Sequence, residues 1–386
     1  MIMKKWINVI LIATVCTLIT GCNSYGTDNT PKPTKLNAID TTVHIKEVWS
    51  ASSGSGVGDH YLKLGTAFDN NRLFVADAKG ALIALDANTG SRFWRISTKL
   101  PITAGPTASA GLVIVGTSNA IVTAFNQQDG KLVWQITAPS EVLAAPAISG
   151  DIVIIKTIDG QLTALDVKTG ALKWHYQEDV PSLILRGSSS VVFDKDLVIA
   201  GFENGKVIAL DLVTGKRVWQ KAISTPLSSN IIANMVDIDA TPIIQNGVVF
   251  AASYQGNIMS LGLANGQTLW EHTVSTFSGI AANAKNIFVS EADSSMTAFD
   301  AATGSVVWTQ KDLLYRKITG PVVFKDMVVV GDAQGFLHFM SQETGKFVAR
   351  EKATRKGILA TPLVVNDTLY INTTNGYVIA YRIKSS

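Results

Sequence analysis

Residue types that carry out chemistry in proteins are scarce in this chain, and their spacing matches no common catalytic or metal-binding pattern. No pair among the five histidines has metal-ligand spacing; they are His44, His60, His175, His272 and His338. The patterns His-Glu-x-x-His, Gly-x-Ser-x-Gly and Gly-x-x-x-x-Gly-Lys are absent from the sequence. Cys16 and Cys22 are too few for a disulfide framework. The sequence therefore predicts no catalytic residue, no metal site and no cofactor.

The first 21 residues have the pattern of an export signal. Lys4 and Lys5 precede an almost wholly apolar stretch, residues 6–20. Fifteen helical residues span about 22 Å, which is too short for a hydrocarbon core of about 30 Å. We therefore predict that residues 1–21 are a signal peptide. Its removal lowers the formal side-chain charge from +3, since both lysines leave with it.

Cys22 carries the one covalent chemistry that the sequence indicates. The stretch Leu18-Ile19-Thr20-Gly21-Cys22 resembles the lipobox of bacterial lipoproteins. That resemblance implies a diacylglyceryl group on the Cys22 thiol, cleavage before Cys22 and acylation of the new amine. More than one acyl chain gives stable membrane anchoring. The resemblance to lipoproteins without Asp after the cysteine, where Asn23 stands here, implies sorting to the outer membrane. The alternative is a chance cysteine near an ordinary cleavage site.

Residues 22–43 are polar and contain two prolines, so we predict a lipidated cysteine followed by a flexible tether.

Composition excludes several classes of protein. The whole chain of 386 residues is 47% apolar and 16% charged, which is not the composition of a disordered protein. A net charge of +3 is too small for binding nucleic acid through bulk charge.

Tryptophans recur along the rest of the chain at a period typical of repeat proteins. They are Trp49, Trp94, Trp134, Trp174, Trp219, Trp270 and Trp308, with spacings of 45, 40, 40, 45, 51 and 38 residues. Ala349 stands where an eighth tryptophan is due. Periods of this length indicate one repeat architecture rather than several domains.

Each repeat reads as a four-stranded unit. Alternating β-branched runs indicate strands, and an Ala-x-Asp-x-x-Thr-Gly turn leads into the strand that ends in tryptophan. Four strands in about 40 residues are the size of one propeller blade. Counting predicts an all-β fold, an eight-bladed β-propeller over residues 44–384. The stretch from His44 to Ser50 would be the outer strand of the last blade and would close the ring.

The repeated turn resembles the tryptophan-docking motif of quinoprotein-type (PQQ-like) propellers. In that family the indole wedges between neighbouring blades near the motif glycine, so the resemblance implies a structural role for all seven tryptophans. Many quinone dehydrogenases of this kind carry an adjacent Cys-Cys disulfide and long inserted loops. Both features are missing here, so we expect no enzymatic activity.

Two long repeats place unusual residues in neighbouring loops. One contains Leu183, Leu185 and Arg186, and the next contains Asp237 and Asp239. An apolar cluster with one arginine near two carboxylates has the composition of a protein-binding hot spot. The alternative is that Leu183 and Leu185 begin a buried strand, with Arg186 paired locally with Asp237 or Asp239.

The lipobox, the short polar tether and eight PQQ-like blades together resemble the BamB family of outer-membrane assembly lipoproteins. Its Leu-x-Leu-Arg-Gly motif is matched by Leu183, Leu185, Arg186 and Gly187, and its Asp-x-Asp by Asp237 and Asp239. The resemblance implies that these residues dock the propeller onto the POTRA domains of BamA and assist β-barrel precursors at the outer membrane. Alternatives are a quinone-dependent or other small-molecule-binding propeller, or a lipoprotein with another partner.

Overall fold

The structure, a computed structural model, describes residues 30–58, 61–187, 189–225 and 235–384. The predicted signal peptide, residues 1–21, and Cys22 lie outside the described residues. Within them the regular secondary structure consists of strands, and no helix is long and apolar enough to cross a bilayer. The strands of the first four blades are β2 (Thr66–Asp69), β3 (Arg72–Ala76), β4 (Ala81–Asp86) and β5 (Arg92–Ser97); β6 (Ile102–Ser109), β7 (Leu112–Thr117), β8 (Ile121–Asn126) and β9 (Leu132–Thr137); β10 (Ala147–Ser149), β11 (Ile152–Lys156), β12 (Gln161–Asp166) and β13 (Leu172–Gln177); β14 (Val192–Asp194), β15 (Leu197–Gly201), β16 (Lys206–Asp211) and β17 (Arg217–Ala222).

The remaining strands form four further blades. They are β18 (Ile243–Gln245), β19 (Val248–Ala252), β20 (Gly256–Gly262) and β21 (Thr268–Val274); β22 (Gly279–Ala282), β23 (Asn286–Ser290), β24 (Met296–Asp300) and β25 (Val306–Gln310); β26 (Val322–Phe324), β27 (Met327–Gly331), β28 (Phe336–Ser341) and β29 (Phe347–Lys352); and β30 (Leu363–Val365), β31 (Thr368–Asn372) and β32 (Tyr377–Ile383) with β1 (Ile45–Ser52). Each blade is one antiparallel four-stranded sheet. Contacts between first strands join blades one to three and blades four to eight, and β2 contacts β30. The prediction of an eight-bladed β-propeller is confirmed.

Burial differs between the second and fourth strands of a blade, and the difference follows from stacking. Every residue of β7 and β11 is buried, because neighbouring blades cover both faces of these strands. The outer strand β13 alternates, with Trp174 buried and the residues on either side exposed. The core therefore lies between blades, in a series of apolar clusters around the ring.

The ring closes by pairing the two ends of the described chain. Strand β1 runs antiparallel to β32, with Ile45 opposite Ile383 and Ser52 opposite Tyr377. The N-terminal strand is thus the outer strand of the eighth blade, as predicted. Closure of this kind pairs the outer edge of β32, which would otherwise be exposed.

The seven tryptophans lie between blades. In each case the indole Nε1 donates to a backbone carbonyl in the turn of the following blade, as from Trp219 to Leu263 at 2.8 Å. The six other pairs are Trp49–Ala87, Trp94–Gln127, Trp134–Val167, Trp174–Leu212, Trp270–Ala301 and Trp308–Gln342. The turn glycine lies directly under the ring: a Cβ at Gly266 would approach Trp219 to 2.6 Å. Gly266 also has a φ of +67°, so the repeat needs glycine there for both space and backbone conformation.

The missing eighth tryptophan is a consequence of ring closure. The tryptophan of each blade rests on the turn between the third and fourth strands of the next blade. Among the described residues blade eight has no such turn, because its third strand, β32, pairs with β1 as the fourth strand. Ala349 stands at the tryptophan position of β29, opposite Phe339, and is fully buried. Val43 and Ile45 pack against the same apolar cluster.

Ala349→Trp is expected to destabilise the protein although it restores the repeat pattern. The new indole would have no turn carbonyl to bond and would enter a filled cluster, and overpacking of this kind costs about 1–3 kcal/mol. Urea unfolding measures the change. Val307→Trp is the control, because Val307 is exposed beside Trp308 on the outer strand of blade six, and such changes stay within about 0.5 kcal/mol. A gain in stability for Ala349→Trp would contradict this explanation.

Residues 34–43 follow the outside of blade seven. The backbone N–H and hydroxyl of Thr34 both donate to the carbonyl of Leu314 at 3.0 Å. Arg350 donates to the carbonyl of Asn37 at 2.7 Å. The N–H groups of Thr42 and Val43 donate to the carbonyl of Val348 on the outer strand β29. This part of the segment predicted as a flexible tether is therefore bound to the ring.

Candidate functional site

Two neighbouring loops on one face of the ring bring together the residues that the sequence singled out. We call residues 180–187 the apolar loop and residues 235–242 the acidic segment. Each connects the outer strand of one blade to the inner strand of the next, and in antiparallel blades all such connections emerge on the same face. The two loops meet where the N–H of Leu185 donates to Oδ2 of Asp237 at 2.6 Å.

Leu183 and Leu185 are not part of a strand. Residues 181–187 have no regular structure, and the next strand, β14, begins at Val192. Leu183 is 45% exposed and Leu185 is half-buried. The alternative of a buried strand beginning at these leucines is therefore wrong. The apolar loop presents Leu183 to solvent and keeps Leu185 against the ring.

Arg186 pairs with a residue that the sequence analysis missed. One guanidinium nitrogen lies 2.7 and 2.8 Å from the two carboxylate oxygens of Glu141. The alternative of local pairing of Arg186 with Asp237 or Asp239 is thus wrong. Glu141 lies in the equivalent connection one blade earlier, 45 residues before Arg186, so inspecting the same loop one repeat upstream could have identified it. The arginine side chain remains 60% exposed, whereas that of Glu141 is only 12% exposed.

Asp237 and Asp239 lie beneath the apolar loop and not on the surface. Asp237 is fully buried, and its carboxylate holds the backbone of Leu185. Asp239 is also buried and faces Gly187: a Cβ added at Gly187 would overlap Oδ1 of Asp239. The glycine of the Leu-x-Leu-Arg-Gly motif is therefore needed for close approach. The two aspartates support the loop from the interior.

A buried ion pair lies under the acidic segment, and nothing in the sequence pattern pointed to it. Lys156, the last residue of β11, donates to Oε1 of Glu203 at 2.9 Å, and both side chains are 4% exposed. Lys156 also donates to the carbonyl of Gly201 at 2.6 Å. A second cation, Lys63, donates to the carbonyl of Phe277 at 2.6 Å and its charge acts on Asp239. Three carboxylates and two lysines thus share one interior region.

Burial dominates the electrostatics of the two aspartates. Desolvation raises the pKa of Asp237 to about 6, opposed by the hydrogen bond from the N–H of Leu185. Desolvation and the negative charge of Asp237 raise the pKa of Asp239 to about 7, opposed by Lys63. Both carboxyls therefore bind protons at pH values where exposed aspartates have lost them.

These raised pKa values predict a stability that falls with rising pH. Between about pH 4 and pH 7 the folded protein keeps protons that the unfolded chain has released, so the contribution is full below pH 4 and is lost as the pH passes 6 to 7. The slope of unfolding free energy against pH between 5 and 8 should be smaller in Asp237→Asn/Asp239→Asn than in the wild type. Urea unfolding at stepped pH measures both slopes.

Asp211 provides the control for this measurement. It binds Thr214 in an exposed turn, and the Thr214 hydroxyl and backbone N–H lower the pKa of Asp211. Protonation of Asp211 affects stability only at pH values below the ordinary pKa of an aspartate. Asp211→Asn should therefore leave the slope above pH 5 unchanged. An unchanged slope in the double variant of Asp237 and Asp239 would contradict the assignment.

The described residues offer little that could hold a metal or cofactor. Among them, no group of three or more His, Cys, Asp and Glu side chains is placed to bind a metal ion. A cavity of about 420 Å³ lies on the opposite face, where blade eight lacks its turn, with Tyr370 and Phe68 in its wall. Its cations already have protein partners: Lys325 pairs with Asp367, and Arg382 donates to the hydroxyl of Thr368. This cavity is separate from the apolar loop.

Comparison with known proteins gives a consistent family. A family model described as "Outer membrane protein assembly factor BamB" matches residues 46–135 and 84–310. A relative in Kangiella koreensis, named outer membrane protein assembly factor BamB, is 44% identical over 365 residues, covering 94% of this chain and 93% of the relative.

Solved structures agree with this family. The crystal structure of BamB from Moraxella catarrhalis superposes with a TM-score of 0.81 at 27% identity, covering 88% of this chain and all of that one. A quinohemoprotein alcohol dehydrogenase from Comamonas testosteroni gives a TM-score of 0.70 at 14% identity, covering 89% of this chain and 77% of that one. The second likeness extends to the fold alone. The 44% identity over nearly the whole length and the match to the family model show that this chain belongs to the BamB family of outer membrane protein assembly factors.

Proposed function

We propose that this protein is a non-catalytic scaffold that binds the POTRA domains of BamA through the apolar loop. The observation that carries the proposal is that Leu183 and Arg186 are exposed on a loop whose backbone is fixed from the interior. Exposed apolar and arginine side chains on a rigid support are the usual centre of a protein-binding surface. Little conformational entropy is lost on binding when the loop is already ordered.

Arg186 would act as an oriented hydrogen-bond donor toward the partner. Glu141 engages one of its nitrogens, and a guanidinium has five N–H donors. The remaining donors are available to a carboxylate or carbonyl of a POTRA domain. Leu183 would supply apolar contact beside it. Leu185 would contribute mainly through its backbone bond to Asp237.

Asp237 and Asp239 would act on the partner through the loop, since both are buried. Loss of either carboxylate would release the backbone at Leu185 or open space beneath Gly187. We therefore expect substitutions of four motif residues, Leu183, Arg186, Asp237 and Asp239, to weaken binding for two different reasons. Those of Leu183 and Arg186 remove contacts, and those of Asp237 and Asp239 disorder the loop.

We also propose that the chain is held at the periplasmic face of the outer membrane. Support comes from the lipobox ending at Cys22 and from Asn23 after it. In this position the scaffold would help to deliver or orient unfolded β-barrel precursors for insertion. Extended precursors could pair with exposed strand backbone at the outer edges of the blades.

Affinity purification of the tagged full chain from detergent-solubilised membranes tests the proposal. Recovery of BamA in stoichiometric amount supports it. Folded, membrane-bound protein that recovers another protein and no BamA would contradict it and favour a different partner for the same face.

The alternative of a quinone-dependent propeller has its own test. Support for a non-catalytic role is the lack of common catalytic motifs in the sequence. The purified protein is incubated with pyrroloquinoline quinone and calcium, and dye-linked dehydrogenase activity is measured. Tight stoichiometric binding with such activity would overturn the non-catalytic assignment.

A further inference from the structure

The support beneath the apolar loop extends into the ring as a continuous set of contacts. The N–H of Ile238 donates to the carbonyl of Phe202 at 3.2 Å, and the N–H of Tyr254 donates to the carbonyl of Asp237 at 2.9 Å. A Cβ at Gly201 would overlap the side chain of Ile238. The acidic segment therefore lies directly on the end of β15, without an intervening gap. Movement of residues 201–203 would be transmitted to Asp237.

Lys156 holds this end of β15 in place from the preceding blade. Its ammonium group binds both the carbonyl of Gly201 and the carboxylate of Glu203. The hydroxyl of Ser189, which follows the apolar loop, contacts the same carbonyl of Gly201 at 3.4 Å. One buried ion pair thus joins blades three and four at the point where both loops rest.

The cluster has more acidic than basic groups. Glu203, Asp237 and Asp239 face Lys156 and Lys63, so the fully ionised cluster carries one surplus negative charge. Among the described residues, Oε2 of Glu203 and Oδ1 of both aspartates have no hydrogen-bond partner. Unpaired buried carboxylate oxygens are costly. Uptake of a proton by the cluster relieves that cost.

We propose that Lys156 and Glu203 are positioning residues for partner binding: their ion pair fixes the acidic segment and, through Asp237, the apolar loop in its exposed conformation. This inference rests on the proposed function of the apolar loop. Neither residue lies on the surface that a partner would touch, since both are buried. Their effect on binding would therefore be exerted entirely through the conformation of the loop.

The charges around the two aspartates determine how this positioning depends on pH. Asp237 faces the N–H of Leu185, the negative charge of Glu203 and the positive charge of Lys156. Asp239 faces Asp237, Lys63, Glu203 and Lys156, and the exposed Tyr61 lies within its electrostatic range. Ionised Asp237 makes a charge-assisted bond to the Leu185 N–H, which is stronger than the bond to a neutral carboxyl. Protection of that amide should therefore decrease as the pH falls through the pKa of Asp237, which is about 6.

Hydrogen exchange at the Leu185 amide of the full-length protein, corrected for intrinsic exchange and followed from pH 5 to pH 8, tests the inference. In Glu203→Gln the charge that opposes ionisation of Asp237 is gone, so the midpoint should move down by about one pH unit. The pH profile of BamA binding should move with it. A folded Glu203→Gln protein whose midpoint stays in place would overturn the inference, because Glu203 would then have no influence on the ionisation of Asp237.

A double variant covers the case in which Glu203→Gln leaves Lys156 unpaired and fails to fold. Lys156→Met/Glu203→Gln removes both charges at similar volume, a replacement that folded proteins generally tolerate. Its midpoint should stay close to that of the wild type, while protection of the Leu185 amide falls about tenfold at every pH. Unchanged protection in the folded double variant would overturn the inference. Lys173→Met, which breaks an exposed pair with Asp151, is the control and should change neither quantity.

The failure of this inference and of the proposed function are distinguishable. Exchange at Leu185 is measured in the free protein and needs no partner. If Arg186 and Leu183 variants retain BamA, the docking role fails and the exchange result still stands. If those variants lose BamA while exchange at the Leu185 amide is unchanged by substitution of Glu203 and Lys156, only the positioning role fails.

Discussion

Leu183→Ala combined with Arg186→Glu is expected to weaken binding of the BamA POTRA domains by about 100-fold or more. The first change removes the exposed apolar contact of the apolar loop. The second replaces a donor with a carboxylate that is repelled by Glu141. Both side chains lie outside the core, so folding should be preserved. Binding of purified POTRA domains to the wild type and the variant, measured by calorimetry, gives the change directly.

Arg95→Glu is the matched control for this result. Arg95 is an exposed arginine on the outer strand of blade one, away from the apolar loop. Its charge reversal alters net charge by the same amount as Arg186→Glu. Equal loss of affinity in the control would assign the effect to bulk charge. Full affinity in the folded double variant would exclude the apolar loop as the docking site.

Trp219→Ala is expected to lower the free energy of unfolding by about 3–5 kcal/mol. The indole fills the space between blades four and five, contacts Gly266 and donates to the carbonyl of Leu263. Truncation opens a cavity and leaves that carbonyl without its partner, which adds to the cost. Because the blades stack in a closed ring, loss of the Trp219 contacts should lower the stability of the whole ring.

Leu132→Ala is the control for the tryptophan. Leu132 lies on the outer strand of blade two and is 60% exposed, so its truncation should change stability by no more than about 0.5 kcal/mol. The free energy of unfolding of both variants is measured by chemical unfolding. Far-ultraviolet circular dichroism is the signal, because it follows the backbone and not tryptophan fluorescence. A loss for Trp219→Ala no larger than that for Leu132→Ala would contradict an interblade role for the indole.

The fold was predictable because its signals are periodic and local. The tryptophan spacing, the Asp-x-x-Thr-Gly turn and the alternating strands each describe one blade, and repetition makes the count reliable. Even the closing strand followed from two incomplete repeats: Trp49 without a turn before it, and the last repeat without a tryptophan. The reason why Ala349 replaces tryptophan could not be predicted from the sequence, because it depends on whether the next blade has a turn that would receive the indole.

The candidate site was predictable in its residues and not in its contacts. Leu183, Arg186, Asp237 and Asp239 stood out because two repeats are longer than the others. Their partners did not, since contacts between loops of different blades depend on the radius and stacking of the ring. Arg186 thus pairs with Glu141 one repeat earlier, and Asp237 bonds a backbone N–H instead of a cation. Lys156 and Glu203 carry no local signal, because a lysine at the end of a strand and a glutamate in a turn resemble ordinary surface residues until the fold is known.

Site-specific photocross-linking at position 183 tests the central claim most directly. A photoreactive amino acid at Leu183 in the full chain, activated in intact cells, should form an adduct with BamA. The same amino acid at Leu132, which is 60% exposed on an outer strand, should form none. An adduct with BamA at 132 and not at 183, or a different protein captured at 183, would contradict docking through the apolar loop.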